Sequence, residues 1–216
     1  MTNTTIPITK VLLSLLIYFI LPLCGPWLNQ FVDSYTITYC LIYSAITFLL
    51  AALNWKVVQV HIQRFTENLK DGILFTVIAI LVLLVMQFIY ALFVHPVRPV
   101  LEQTIMMHYS FFTPIMVLVF SFGYSFSFTL AFKIFFDRIH LNVNESMTIL
   151  ISGVLFGFLC ALIQMPSGFD PFFRFFFYYF FISTLSSYIY NQTHSLIPMT
   201  LGYGLVLLGN VILAII

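Results

Sequence analysis

Of 216 residues, 62% are hydrophobic and only 7% are charged, against roughly 25% charged in an ordinary soluble domain. So few charges cannot solvate the surface of a soluble fold, and the length allows one bundle and little more. A net charge of +1 from 8 basic and 7 acidic residues supplies no field for nucleic acid and excludes that partner. The chain is therefore read as one all-α integral membrane domain over residues 1–216, with membrane lipid as its surroundings.

A helix needs about 20 apolar residues to cross about 30 Å of hydrocarbon, and seven runs qualify. The first, Val11 to Trp27, follows Lys10 like a signal peptide but lacks a small-residue cleavage site. Leu21-Pro22-Leu23-Cys24 also lacks the small residue that a lipoprotein box places before its cysteine, so the segment is kept as a transmembrane helix. Tyr35 to Trp55 is the second run. Lys56 to Asp71 then mixes Val57, Val58, Val60, Ile62 and Phe65 with Lys56, Arg64, Glu67 and Lys70, the composition of a helix lying in the membrane interface.

Gly72 to Val94 is the third run, ended by the Pro-bearing stretch His95 to His108. The fourth, Phe111 to Phe136, contains Lys133 and a small-xxx-small pair, Gly123 and Ser127. After Asp137 to Ser146, Asn144 is placed to cap the fifth run, Met147 to Met165, which carries a GxxxG at Gly153 and Gly157. Close helix contact follows, inside this chain or with another protein. A Pro/Gly turn from Met165 to Pro171 leads to the sixth run, Phe172 to Tyr190, and the seventh is Leu196 to Ile216.

The sixth run is rich in hydroxyls: Tyr178, Tyr179, Ser183, Thr184, Ser186, Ser187 and Tyr188. They line a polar cavity or bond carbonyls of their own helix. With seven spans and the amino terminus cytoplasmic, Lys10, Lys56, Arg64, Lys70, Lys133 and Arg138 fall inside, leaving Arg98 and Arg174 outside with the carboxy terminus.

The second half resembles the CAAX protease and bacteriocin-processing family, also called Abi, over about residues 111–216. That resemblance rests on Phe156 and Cys160 in one span and on the turn Tyr190, Thr193, Ser195, Leu196 and Pro198 before the last. Members of the family carry Glu-Glu-xxx-Arg, Phe-xxx-His, a Tyr-x-x-Thr-x-Ser-Leu-x-Pro-like turn and His-xxx-Asn. Here Cys160 stands in place of the first histidine, Tyr203 in place of the second and Leu207 in place of the asparagine. The paired glutamates would fall near Ser127 to Thr129, which has no acid, and Lys133 is a candidate remnant of the arginine.

The resemblance implies a bundle built for intramembrane proteolysis from which the catalytic residues are gone. Hydrolysis needs a base or a Lewis acid beside the scissile carbonyl; Phe and Thr cannot abstract a proton, and Cys160 alone does not replace a histidine ligand set. No catalytic residue, metal or cofactor is expected. Cys24, Cys40 and Cys160 have no CxxC spacing. His61, His95, His108, His140 and His194 sit in or beside loops without metal-ligand spacing, and are read as solvated interfacial side chains. Glu102 with His95 and His108 is the one conceivable outer-loop metal site.

Polar groups at membrane depth are costly, so Gln87, Gln164 and Asn210 are candidate cavity or helix-linking residues. Lys133 and Arg174 are expected to snorkel to the interface, and Arg174 to pair with Asp170 one turn away. The leading expectation is a catalytically degenerate bacterial membrane protein. It would act as scaffold, regulator or bacteriocin-immunity factor by binding another integral membrane protein. The alternatives are a small-molecule transporter subunit, such as the substrate-binding component of a vitamin uptake complex, and a protease using unorthodox residues.

Overall fold

The computed structural model describes residues 6–32, 34–93, 113–141, 143–164 and 168–215. Each of the seven apolar runs contains a helix. The first begins as α1, Ile8–Ile20, passes through a 3-10 turn at Leu21–Cys24 and continues as α2, Gly25–Val32. Pro22 sits in the first turn of that 3-10 segment, where its missing N–H and its ring interrupt the α-helical ladder. The chain continues through α3, Tyr35–Leu53; α4, Trp55–Glu67; α5, Leu69–Phe93; α6, Thr113–His140; α7, Glu145–Ile163; α8, Phe169–Thr193; and α9, Ile197–Ile215. Asn144 caps α7 as expected, its side chain accepting from Met147 N at 3.0 Å.

Four segments are long and apolar enough to cross a membrane: Ile8–Val32, Leu69–Tyr90, Pro114–His140 and Glu145–Ile163. Ile37–Leu53 and Trp55–Glu67 add a fifth if the bent pair counts as one span. This is the architecture of a multi-pass membrane protein. The hydroxyls of α8 dilute its apolar character, which is why composition marks that helix less clearly than its neighbours.

α6 is the axis of the bundle. It packs against α1, α3, α7, α8 and α9, and 61% of its apolar stretch is buried, against 22% for α5. Small residues permit the close approach. Thr47 Oγ1 of α3 lies 2.9 Å from both Gly123 O and Ser127 Oγ of α6. The GxxxG of α7 is spent inside the chain: a Cβ on Gly157 would stand 2.9 Å from the Phe180 backbone nitrogen of α8. Between α5 and α9, a Cβ on Gly202 would meet the Ala79 Cβ at 2.6 Å.

α3 and α4 meet at 90°. Asn54, 4% exposed, holds the corner by donating from Nδ2 to Ser14 Oγ of α1 at 3.0 Å and to Leu50 O at 3.1 Å. Beyond the bend α4 packs on α3, α5 and α9, its polar and apolar residues segregated as in an amphipathic helix. Hydrogen bonds gather one end of the bundle. Lys10 Nζ donates to Leu53 O at 3.4 Å, Asn191 Nδ2 to Glu145 Oε1 at 3.0 Å and Arg64 Nη1 to His194 O at 3.0 Å. The start of α1, the end of α3, α4, the start of α7, the end of α8 and the following turn therefore share that end. Arg174 lies at the other, bonded to Asp170 at 2.6 Å, with its carbonyl accepting from Tyr90 Oη at 2.6 Å.

Candidate functional site

Two of the positions named from the sequence are joined through a third residue. Phe156 of α7 and Tyr203 of α9 are both fully buried, and Phe128 of α6 touches each, with ring centroids 5.5 Å and 5.6 Å away. Tyr18 stacks on Phe156 at 5.8 Å, and Phe132 meets it edge-on at 5.3 Å. Tyr124 packs on Tyr203 at 6.0 Å, and Leu207 is buried one turn beyond. Together these side chains form an aromatic layer of largely edge-to-face rings.

Beside that layer Cys160, Tyr18, Tyr43, Tyr124, Tyr179 and Gln164 line a space of only about 10 Å³, room for one water. Gln164 Nε2 donates to Tyr179 Oη at 2.9 Å, and Tyr179 Oη lies 3.1 Å from Tyr124 Oη. Gln87 and Asn210 are half-buried, and neither lines this space. Three of the α8 hydroxyls serve their own helix: Thr184, Ser186 and Ser187 donate to Phe180 O, Ile182 O and Ser183 O. Cys24, Cys40 and Cys160 are free thiols.

The Tyr190 to Pro198 turn is a structural joint. His194 ends α8 in the left-handed region, φ 51°, which non-glycine residues enter at a cost. Thr193 Oγ1 lies 2.8 Å from Ile189 O and accepts from Ser195 N at 3.2 Å. Ser195 Oγ accepts from Ile197 N at 3.3 Å, opening α9, and donates across to His61 O of α4 at 2.8 Å. Pro198 occupies the first turn of α9, where its missing N–H costs nothing.

Two expectations are corrected here. Lys133 does not snorkel: it is 9% exposed, paired with Asp137 one turn on and 5.2 Å from the Tyr190 ring centroid. A carboxylate within reach removes the reason to extend toward the interface. His61 is not solvated either. It is 1% exposed, its Nδ1 lies 3.2 Å from His194 O, and Tyr190 covers its ring at 5.7 Å. Burial, then the charges of Lys133 and Arg64, push its pKa down to about 3, so the ring is neutral and Nδ1–H donates to the carbonyl. Glu102, His95 and His108 lie outside the described residues. Among the described residues no three His, Cys, Asp or Glu side chains cluster as metal ligands.

Sequence reasoning missed a vestibule of about 520 Å³ at the charged end of the bundle. It exists because the bend at Asn54 carries α4 onto α5 and α9, leaving a gap toward α6 that α1 and the α6–α7 connection wall in. Its polar lining includes His61, Arg64, Lys133, Asp137, Arg138 and Glu145, and its apolar lining includes Val11, Val57, Val60 and Ile134. The i, i+4 pair Lys133 and Asp137 was the available signal; assigning Asp137 to a loop hid it. No family model matches the sequence, no curated protein is similar to it, and no solved structure matches the fold.

Proposed function

We propose that this chain is a non-hydrolytic relative of the CAAX protease and bacteriocin-processing proteins that acts by binding another integral membrane protein, as scaffold, regulator or immunity factor. It crosses the membrane seven times with its amino terminus cytoplasmic; the collection of Lys10, Lys56, Arg64, Lys70, Lys133 and Arg138 near the α4 end supports that orientation. One observation carries the reading. Phe128 packs against both Phe156 and Tyr203, at or beside the family's catalytic positions, and none of these three side chains can act as a base at neutral pH. Affinity purification at native expression should recover a stoichiometric membrane partner and no peptide hydrolysis. A partner-free monomer that cleaves peptides would refute the reading.

A second reading, a subunit that binds a small molecule for transport, is favoured by the vestibule. Its 520 Å³ falls within the roughly 300–1,000 Å³ typical of small-molecule sites. A metabolite carried through purification and identified by mass spectrometry would select it.

A further inference from the structure

The vestibule's charges are unevenly satisfied. Its two carboxylates are both engaged, Asp137 with Lys133 and Glu145 with Asn191. Of its cations, Lys133 shares Asp137, and Arg64 gives one N–H to His194 O. Arg138, half-buried in the lining, has no acceptor among the described residues. An arginine fork offers five N–H donors in a plane and matches an oxyanion in two-point geometry. With His61 held neutral, three cations face two carboxylates, so the enclosed space carries one uncompensated positive charge. Its other wall is apolar, formed by Val11, Val57, Val60 and Ile134.

The geometry points to a binding site for an amphiphilic oxyanion: a phosphate or carboxylate group held by Arg138, with Arg64 and Lys133 adding charge, and an apolar body against α1 and α4. Such a group is available both as an anionic lipid headgroup and as a soluble phosphate or carboxylate compound. Lipid access would run past α4, whose exposed Val60 and Ile62 belong to the interface. The inference stands on the vestibule alone and survives whether or not a protein partner exists.

The test uses the full chain in mild detergent. Native mass spectrometry compares retention of phosphatidylglycerol with phosphatidylcholine, and a thermal-shift series adds inorganic phosphate. Phosphatidylglycerol should be retained about tenfold over phosphatidylcholine, and Arg138→Gln should remove that preference, as expected for loss of one charge-assisted contact. Lys70→Gln, an exposed charge outside the vestibule, should leave the preference intact. Val60→Trp fills the space without altering charge and should lower retention to a similar degree, so the outcome does not depend on how well the Arg138 variant folds. Preference for the lipid identifies the bilayer as source; stabilisation by phosphate alone identifies a soluble ligand. The inference is overturned if neither probe binds, if Lys70→Gln acts like Arg138→Gln, or if Val60→Trp binds as before.

Discussion

Two regions of this bundle use buried side chains in opposite ways. Around Phe156 the helices are sealed by rings that need no partner beyond one another. Around Lys133, little more than one turn along α6 from Phe128, a lysine, a carboxylate and a histidine are held beside open space. Aromatic packing satisfies itself from any direction and closes a layer; charges need particular partners and keep the geometry around them open to whatever can supply more. The same helix therefore carries close aromatic packing and, beside it, charged groups that line open space, and binding is assigned to the second.

The contrast is broken most severely at the layer. Phe156→Ala would leave a ring-sized cavity that the surrounding rings cannot collapse into, costing about 4 kcal/mol, read as loss of cooperative unfolding in detergent. Next is Asp137→Asn, which strands Lys133. Breaking a fully buried pair costs about 3 kcal/mol or more, and the carboxylate's 31% exposure lowers the expectation to about 2 kcal/mol. A simultaneous Lys133→Met should recover most of that loss, in a double-mutant comparison of denaturation midpoints.

The corner that creates the vestibule is the third target. Asn54→Ala removes two donated bonds from a buried site and should cost about 1.5 kcal/mol, with Ser14→Ala adding little on top. A pH series probes His61. Its folded pKa of about 3 lies below the unfolded value of about 6.5, so the unfolded chain takes up the proton first as pH falls. Its contribution is thus fully present above pH of about 6.5 and is lost on acidification toward 3, by at most about 1.4 kcal/mol per pH unit. His61→Gln should flatten that part of the profile. The smallest effect is His194→Gly, which relieves a left-handed residue and should stabilise by about 0.5 kcal/mol.

The helices were legible in the sequence because continuous apolar runs and Pro/Gly punctuation determine where a membrane chain can be helical. Asn144 and the Asp170–Arg174 pair followed from local spacing. The mixed polar and apolar character of α4 was legible as composition, but its 90° bend was not, since Asn54 at the corner bonds Ser14, forty residues away in sequence. The vestibule depends on that bend, and so escaped detection. Lys133 and His61 were misplaced for a related reason: proximity to a span end says nothing about whether a carboxylate or an aromatic ring is waiting there. Phe128, the ring that joins Phe156 to Tyr203, carries no sequence signal that separates it from its many aromatic neighbours.

Thiol labelling in membranes tests the division of labour most directly. With Cys24 and Cys40 replaced by serine, the remaining Cys160 beside the aromatic layer should resist N-ethylmaleimide until the chain is unfolded, while Val57→Cys in the vestibule, in a background that also lacks Cys160, should react readily in the folded protein. Rapid labelling of Cys160 in the folded state would mean that an open groove reaches the layer, and would contradict the account.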